Sequence, residues 1–292
     1  MGGQSKNPKA VVVLGAGGML GRRLVDESEA RGWTVHGFTR AEADITDPSR
    51  IAAILAETGA DVVFNAAAWT DVDGAEAEEA AATRVNGAGP RVLAEACRDA
   101  GSTLVHVSTD YVFDGGGATP YRCEAPLEPV NAYGRSKAAG ERAIAEVAGA
   151  SGWDRFIIAR TSWLYDRTGR NFLTTIRALA EDRDRIEVVD DQRGRPTAAP
   201  ELARQLCGLV EAGVTGMFHC CNDGEATWCD LARAVVAAHG LECRVEPCGS
   251  DRFPRPARRP AYSVLDLSRT REVLGRIPHW EESLADVVGS SS

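Results

Sequence analysis

The alternation of short apolar runs with helical segments constrains this chain more than any other feature. Ala10–Leu14 is typical of a buried strand, Met19–Ala30 of an amphipathic helix and Thr34–Phe38 of a second strand. Continuous apolar strands separated by helices indicate a parallel sheet that is covered on both faces. Because such crossovers are nearly always right-handed, the pattern predicts an α/β fold with a Rossmann-type doubly wound parallel sheet.

The alternation continues through the first half of the chain. Asp47 followed by Pro48 is typical of a helix start, with the aspartate as N-cap and the proline in the first turn. The further expected strands are 61–65, 103–108 and 155–161, and the further expected helices are 48–57, 80–100 and 133–148.

The pattern loosens after Thr161, which suggests a division of the 292 residues into two regions. We expect a dinucleotide-binding Rossmann domain over 10–163, to which segments near 185–192 and 214–221 return. Residues 164–288 are expected to form a smaller C-terminal region that mainly binds substrate, and it contains a loop at 249–262 rich in proline and arginine. Residues 1–9 and 289–292 are small and polar, and are expected to be flexible tails.

Charge and composition exclude several classes of function. The net charge of −9 argues against general binding of nucleic acid, which needs a basic surface, but a local group of arginines can still hold an anionic small molecule. No apolar run reaches the roughly 18 residues of a membrane helix, and the first residues do not resemble a signal peptide. We therefore expect a cytoplasmic protein that does not bind membranes and exists as a monomer or homodimer.

Its eight cysteines are expected to be reduced, with no metal site, since their spacing and that of His219 fit no standard zinc pattern.

A glycine-rich loop joins the first strand to the first helix. Glycines at 15, 18 and 21 allow a tight turn, close approach of a pyrophosphate and close packing of the helix, whose N-terminal N–H groups favour phosphate. The predicted dinucleotide contacts in this segment are Gly15, Gly17, Gly18, Met19 and Leu20. The second strand is followed by Thr39 and Arg40 rather than by an acidic residue that would bind the ribose of NAD. Arg40 can pair with a 2′-phosphate, so the sequence favours NADPH, with NADH possible and a solvated loop charge as the alternative interpretation.

A second group of residues is typical of carbonyl reduction. Ser108 and Thr109 end the fourth predicted strand, and Tyr133 and Lys137 are four residues apart near the start of a helix. That separation is about 6 Å along the axis, so both side chains share one helix face. A phenol next to an ammonium group can give a proton to a carbonyl oxygen while hydride reaches the carbon. Ser108 or Thr109 would orient the carbonyl, and the predicted catalytic set is Ser108, Thr109, Tyr133 and Lys137.

Together with longer strings, these motifs resemble the dTDP-4-dehydrorhamnose reductase family of extended short-chain dehydrogenases/reductases. The most specific strings are the segment 108–115, which reads Ser-Thr-Asp-Tyr-Val-Phe-Asp-Gly, and the segment 191–197, which reads Asp-Gln-Arg-Gly-Arg-Pro-Thr. The resemblance covers about residues 10 to 288. It implies reduction of the C4 ketone of a dTDP-linked 6-deoxyhexose, with dTDP-4-dehydro-L-rhamnose as the expected substrate.

The resemblance also implies contacts beyond the catalytic set. Further cofactor contacts would come from Asp44, Ile45, Ala66, Ala67 and Ala68, in addition to Tyr133 and Lys137. The sugar nucleotide would be contacted by Val72, Asp73, Tyr111, Trp163, Asn171, Gln192, Arg195, Pro196, Thr197 and Arg259. Trp163 offers a flat apolar face to a ring, and Arg259 can bind diphosphate oxygens.

Some features leave the exact function open. Trp69 stands where the family often carries His or Tyr, and Arg193 and Arg195 make the segment 191–197 unusually basic. One alternative is a 4-ketoreductase for another dTDP-4-keto-6-deoxy sugar of antibiotic biosynthesis. A second is a non-catalytic NADP-binding regulatory subunit that resembles that of methionine adenosyltransferase. A third is an epimerase or dehydratase of the same superfamily. Those enzymes usually need an acid-base pair near the strand-end Ser or Thr, often Asp-Glu; here Asp110 is followed by Tyr111, so dehydration is disfavoured.

Overall fold

A parallel sheet of six strands forms the centre of the molecule and is flanked by helices. The structure is a computed structural model and describes residues 10–289. In chain order its strands are β1 (Ala10–Leu14), β2 (Thr34–Phe38), β3 (Val62–Asn65), β4 (Thr103–Thr109), β5 (Phe156–Thr161), β6 (Leu164–Tyr165), β7 (Arg185–Val189), β8 (Arg193–Gly194), β9 (Thr197–Ala198), β10 (Gly216–His219), β11 (Ala226–Thr227) and β12 (Arg244–Cys248). Its α-helices are α1 (Met19–Ala30), α2 (Pro48–Thr58), α3 (Gly74–Ala77), α4 (Glu79–Thr83), α5 (Gly89–Ala100), α6 (Ala132–Ser151), α7 (Phe172–Asp182), α8 (Ala199–Glu211), α9 (Trp228–Ala238), α10 (Ser268–Leu274) and α11 (Trp280–Gly289).

The order of the central strands sets the position of the functional site. It runs β10-β5-β4-β3-β1-β2, so that β1 has β2 on one side and β3 on the other. The chain changes direction across the sheet at this pair, where Leu14 lies opposite Asn65. In open α/β sheets, ligands bind at such a reversal, outside the carboxyl ends of the strands. The doubly wound α/β fold is confirmed.

Apolar side chains cover both faces of this sheet. Val11, Val13 and Phe64 face α1 and α8, whereas Val12 and Leu14 face α2 and α5. Alternate residues of one strand therefore bury into opposite layers, as the continuous apolar runs predict. A further cluster lies in the C-terminal region, where α7, α9 and α11 pack around β7.

Several elements differ from the expectation. The segment near 185–192 does not return to the central sheet, because β7 pairs in parallel with β12 in a separate sheet of two strands. The segment near 214–221 contains β10, which pairs with β5 at the edge of the central sheet.

The helix expected over 80–100 is interrupted by a π-helical turn at Arg84–Ala88. Pro90 has no N–H to donate to the carbonyl of Asn86, so the regular hydrogen-bond ladder cannot continue through this point.

The ends of the chain were expected to be tails. Residues 1–9 and 290–292 lie outside the described residues, and Gly289 is the last residue of α11 rather than part of a tail. Between residues 10 and 289, no helix combines the length and the apolar character that crossing a membrane requires.

Candidate active site

A cavity of about 860 Å³ opens at the carboxyl ends of β1, β3 and β4. It brings together residues that are far apart in the sequence. The expected site residues that line it are Gly15, Gly17, Gly18, Met19, Leu20, Arg40, Asp44, Ile45, Ala66, Ala67, Ala68, Val72, Ser108, Thr109, Tyr111, Tyr133, Lys137, Trp163 and Asn171. The dinucleotide end and the catalytic end are therefore parts of one continuous space.

The glycine-rich loop is built for close backbone approach. Gly15 has φ +80°, and a Cβ there would lie 2.8 Å from the backbone nitrogen of Ala67. At Gly21 a Cβ would overlap the carbonyl of Gly15, so the glycine lets α1 start directly against the turn. The N-cap of α1 is Gly18, and no side chain of the described residues caps this helix. Its first N–H groups are thus available to an anion, such as a dinucleotide pyrophosphate.

The outer end of the cavity is lined by Arg40, Asp44 and Ile45. Asp44 accepts hydrogen bonds from the backbone N–H of Thr46 at 2.9 Å and from its hydroxyl at 2.8 Å. These bonds lower the pKa of the Asp44 carboxyl and keep it charged. Arg84, from the π-helical turn, lies 4.0 Å from Asp44. At this end a base would meet the hydrogen-bond acceptor Asp44, and a 2′-phosphate would meet the guanidinium groups of Arg40 and Arg84.

Helix α6 carries Tyr133 and Lys137 into the inner end of the cavity. The side chain of Asn131 caps the helix by accepting from the N–H of Gly134 at 2.8 Å. Burial raises the pKa of the Tyr133 phenol, against a hydrogen bond with Thr109. Burial lowers the pKa of Lys137 to about 8, and its Nζ donates to the carbonyl of Val107 at 2.6 Å. Tyr133 is therefore held in its protonated form, as a proton donor must be.

The two hydroxyls at the end of β4 have different partners. Ser108 donates to Oε1 of Glu141 at 2.5 Å, and Glu141 forms a buried ion pair with Arg160 at 2.7 Å. Thr109 donates to Oδ1 of Asp110 at 2.9 Å and accepts from the N–H of Tyr111 at 3.2 Å. Ser108 is thus bound into a buried ionic network, whereas Thr109 is next to the phenol of Tyr133.

Aromatic side chains form the wall on the C-terminal side of the cavity. The rings of Trp163 and Trp228 are parallel within 6°, with centroids 3.7 Å apart, and Phe172 contacts Trp228 with its centroid at 4.6 Å. Trp163 has φ +48°, an uncommon conformation for a residue other than glycine. Gly194 permits it, because a Cβ there would lie 2.6 Å from the indole. Such strain is typical of functional sites.

Asn171 lines the cavity next to this wall, but its side chain has a structural role. Its Oδ1 accepts from the N–H of Thr174, and the Thr174 hydroxyl accepts from the N–H of Asn171, which completes a capping box for α7. Its Nδ2 donates to the carbonyl of Asp166 at 2.8 Å. The predicted contact of Asn171 with the sugar nucleotide remains a prediction.

Six expected substrate contacts do not line the cavity. They are the described residues Asp73, Gln192, Arg195, Pro196, Thr197 and Arg259. Arg259 pairs with Asp73 at 3.0 Å, beside Val72 of the cavity wall. Arg195 is buried, and it donates to the carbonyl oxygens of Leu265 at 2.8 Å and Gly224 at 2.9 Å.

The other three lie among structural contacts. Gln192 donates to Ser250 at 2.8 Å and accepts from the indole N–H of Trp228 at 3.1 Å, so it supports the aromatic wall from behind. Pro196 and Thr197 are buried. Their predicted roles in substrate binding are untested.

Sequence reasoning missed several cavity residues. Asp110 was visible as the neighbour of Thr109, and Arg170 as the neighbour of Asn171. Trp228 had no local signal, because its position beside Trp163 follows from tertiary packing. Trp69, which the sequence had already marked as a departure from the family pattern, lines the cavity and donates from its indole N–H to the carbonyl of Asp71 at 2.9 Å.

The cysteines and the other possible metal ligands form neither disulfides nor a metal site in the described part of the chain. All eight cysteines lie within residues 10–289 and are free thiols. In this part of the chain, no group of three or more His, Cys, Asp or Glu side chains is placed to hold a metal ion.

Comparison with known proteins gives consistent matches. The family model described as "RmlD substrate binding domain" matches residues 9–292. A dTDP-4-dehydrorhamnose reductase from Streptomyces griseus is 44% identical over 282 residues, covering 94% of this chain and 91% of that protein. A dTDP-4-keto-6-deoxy-D-glucose reductase from Streptomyces niveus is 44% identical over 275 residues, covering 94% of both proteins. The crystal structure of a dTDP-4-dehydrorhamnose reductase from Bacillus anthracis in complex with NADP has a TM-score of 0.92 at 32% identity, covering 97% of this chain and 99% of that chain.

Proposed function

This chain belongs to the dTDP-4-dehydrorhamnose reductase family, and we propose that it reduces the C4 ketone of a dTDP-4-dehydro-6-deoxyhexose with NADPH. The favoured substrate is dTDP-4-dehydro-L-rhamnose, which gives dTDP-L-rhamnose. The observation that carries the proposal is the partly buried Tyr133, whose phenol has a raised pKa and lies beside Thr109 in the cavity that begins at the glycine-rich loop. A phenol in that position can donate a proton to an oxygen that becomes negative.

The residues of the cavity fit a dinucleotide. Gly15 and Gly18 leave room for a pyrophosphate at the start of α1, and Arg40 offers a cation to the 2′-phosphate that distinguishes NADPH. When bound, the dinucleotide supplies the hydride. Lys137 uses one of its three N–H donors on Val107, which leaves two for a ribose hydroxyl. The relative from Bacillus anthracis whose structure contains NADP supports this assignment.

The proton step is assigned to this chain's own groups. The ketone oxygen gains negative charge as hydride reaches C4, and the Tyr133 O–H donates its proton to that oxygen. The products are the C4 alcohol and a Tyr133 phenolate, which takes up one proton before the next turnover. Thr109 orients the ketone oxygen, while the Trp163 and Trp228 rings offer a flat surface to the base or sugar.

The identity of the sugar has a second candidate. Relatives of equal identity include a dTDP-4-keto-6-deoxy-D-glucose reductase, so another dTDP-4-keto-6-deoxy sugar is the main alternative. The catalytic groups serve either substrate, because each reduction needs the same proton donor. A non-catalytic regulatory subunit is disfavoured, since the described residues keep the proton donor and its neighbours in one cavity.

The test is to mix the protein with NADPH and each keto-sugar nucleotide, and to follow loss of the reduced-cofactor absorbance. Tyr133→Phe keeps the ring but removes the proton donor, so turnover should fall by about 10²- to 10⁴-fold with dinucleotide binding retained. Tyr165→Phe is the control, because Tyr165 is a buried tyrosine whose hydroxyl donates to the carbonyl of Trp280, away from the cavity. Wild-type turnover in the Tyr133 variant would exclude this residue as proton donor. Absence of NADPH oxidation with every keto-sugar would refute the proposed function.

A further inference from the structure

Asp110 lines the active-site cavity but has no role in the reaction described above. It follows β4 directly and is only 2% exposed. Its Oδ1 accepts from the Thr109 hydroxyl at 2.9 Å, whereas its Oδ2 is buried and finds no hydrogen-bond partner among residues 10–289. A buried carboxylate oxygen without a donor is costly, while the carbonyl oxygen of a neutral acid tolerates the same environment better.

The groups that face Asp110 come from four parts of the fold. They are the phenol of Tyr133 on α6, the phenol of Tyr111 in the same turn, the thiol of Cys221 after β10 and the hydroxyl of Ser263. None of these four groups is a cation that could stabilise a charged Asp110 carboxylate. Burial raises the pKa of Asp110 to about 6, and the nearby hydroxyls of Ser263 and Thr109 offset this rise only in part.

This environment differs from that of the neighbouring carboxylate. Glu141, which accepts the hydrogen of Ser108, is paired with Arg160 at 2.7 Å. The guanidinium gives this carboxylate a charge partner, and the Ser108 hydrogen is directed to the same carboxylate. None of the described groups that face Asp110 is a cation. The Thr109 hydrogen is therefore not held on the Asp110 carboxyl by an ion pair, as the Ser108 hydrogen is on Glu141.

The position of one hydrogen atom then decides what Thr109 can do. A hydroxyl has a single hydrogen to donate. While Asp110 is ionised, that hydrogen is directed to Oδ1, and the hydroxyl presents only lone pairs to the cavity. A ketone oxygen accepts hydrogen bonds and cannot use those lone pairs. Thr109 can assist the ketone only if Asp110 itself carries a proton.

We propose that Asp110 is a positioning residue that works as a neutral acid. Its carboxyl O–H donates to Oγ1 of Thr109, and the freed Thr109 O–H donates to the ketone oxygen beside Tyr133. Ionisation of Asp110 draws the Thr109 hydrogen away from the ketone and slows the reaction. No covalent bond changes at Asp110, because the proton that enters the product still comes from Tyr133. The inference rests on the proposed function.

The test compares pH profiles of kcat/KM for the wild type and Asp110→Asn. The wild-type value should fall by about tenfold per pH unit above the pKa of about 6. An asparagine amide donates to Thr109 at every pH, so Asp110→Asn should lose this fall and keep activity within about tenfold of the low-pH wild type. A separate fall near pH 8, from Lys137, should remain in both proteins.

Asp114→Asn is the control, because Asp114 is an exposed carboxylate bound to Tyr121 in the following turn, and this variant should keep the wild-type profile. A wild-type profile that is flat between pH 6 and 8 overturns the proposal, whether or not Asp110→Asn folds. An Asp110→Asn variant that retains the fall also overturns it.

A second readout separates this inference from the proposed function. The infrared difference spectrum between the free wild type and Asp110→Asn at pH 5.5 should contain the band of a neutral carboxyl, and its absence from the difference would contradict the inference. If the signal is present but no keto-sugar is reduced, the proposed function fails and the protonation of Asp110 stands.

Discussion

The buried ion pair between Glu141 and Arg160 should make the largest single electrostatic contribution that can be tested by substitution. Both side chains are 2% exposed. Arg160 donates to Glu141 at 2.7 Å and to the carbonyl of Cys123 at 2.9 Å, and Ser108 donates to the same carboxylate. The guanidinium also lies over the ring of Phe113, 4.9 Å from its centroid.

The change Glu141→Gln removes the negative charge and leaves the guanidinium buried without its charge partner. Loss of one member of a buried pair costs about 3–5 kcal/mol. For a protein of this size each kcal/mol shifts Tm by roughly 2–4 °C, so we expect a decrease of about 6–20 °C. The double change Glu141→Leu with Arg160→Met removes both charges. It should recover most of the stability, because the attraction in a buried pair is largely offset by desolvation of both ions.

Thermal and urea unfolding, followed by circular dichroism, measure both variants. Glu79→Gln is the matched control, since Glu79 pairs with Arg135 at 2.7 Å but both side chains are more than 40% exposed. That change should cost about 0–1 kcal/mol. If Glu141→Gln is no less stable than Glu79→Gln, the Glu141 charge is not needed to compensate Arg160. If the double variant is less stable than Glu141→Gln, the reasoning about desolvation is wrong.

Two further predictions concern the dinucleotide end of the cavity. Gly15→Ala should weaken NADPH binding in calorimetric titration by at least about tenfold. The positive φ of this residue costs an alanine about 1–2 kcal/mol, and the added Cβ meets the backbone of Ala67. Gly32→Ala is the control: Gly32 has φ +74° with open space around the Cβ, so this variant should lose stability but keep NADPH binding. Arg40→Ala should weaken NADPH by about 10- to 100-fold, as expected for a hydrogen bond to a charged group, and leave NADH unchanged; equal effects on the two cofactors would remove Arg40 from the 2′-phosphate site.

Most strands of the central sheet could be predicted because each is marked by its own local sequence. Continuous apolar runs followed by helical periods predicted the positions of β1, β3, β4 and β5, because a strand that is buried on both faces is apolar along its whole length. The segment near 185–192 was placed in the wrong sheet, because an apolar strand does not specify its neighbour. Its partner β12 lies more than fifty residues further along the chain, and only tertiary packing brings the two together.

The same distinction explains the two halves of the candidate site. The glycine-rich loop and the pair Tyr133–Lys137 are local motifs, so their place in the cavity could be predicted from spacing and from the edge of the sheet at which parallel strands end. The opposite wall is made by Trp163 and Trp228, whose contact depends on the packing of α9.

Asp110 is a third case, in which the residue was visible and its state was not. In the sequence it served only to argue against a dehydratase, because a residue type does not reveal whether a carboxyl is solvated, paired or alone. Its buried Oδ2 supplies that information. The chemistry of a site therefore depends on which polar atoms folding leaves unpaired, and in this cavity such an atom lies one hydrogen bond from Thr109 and next to the proton donor.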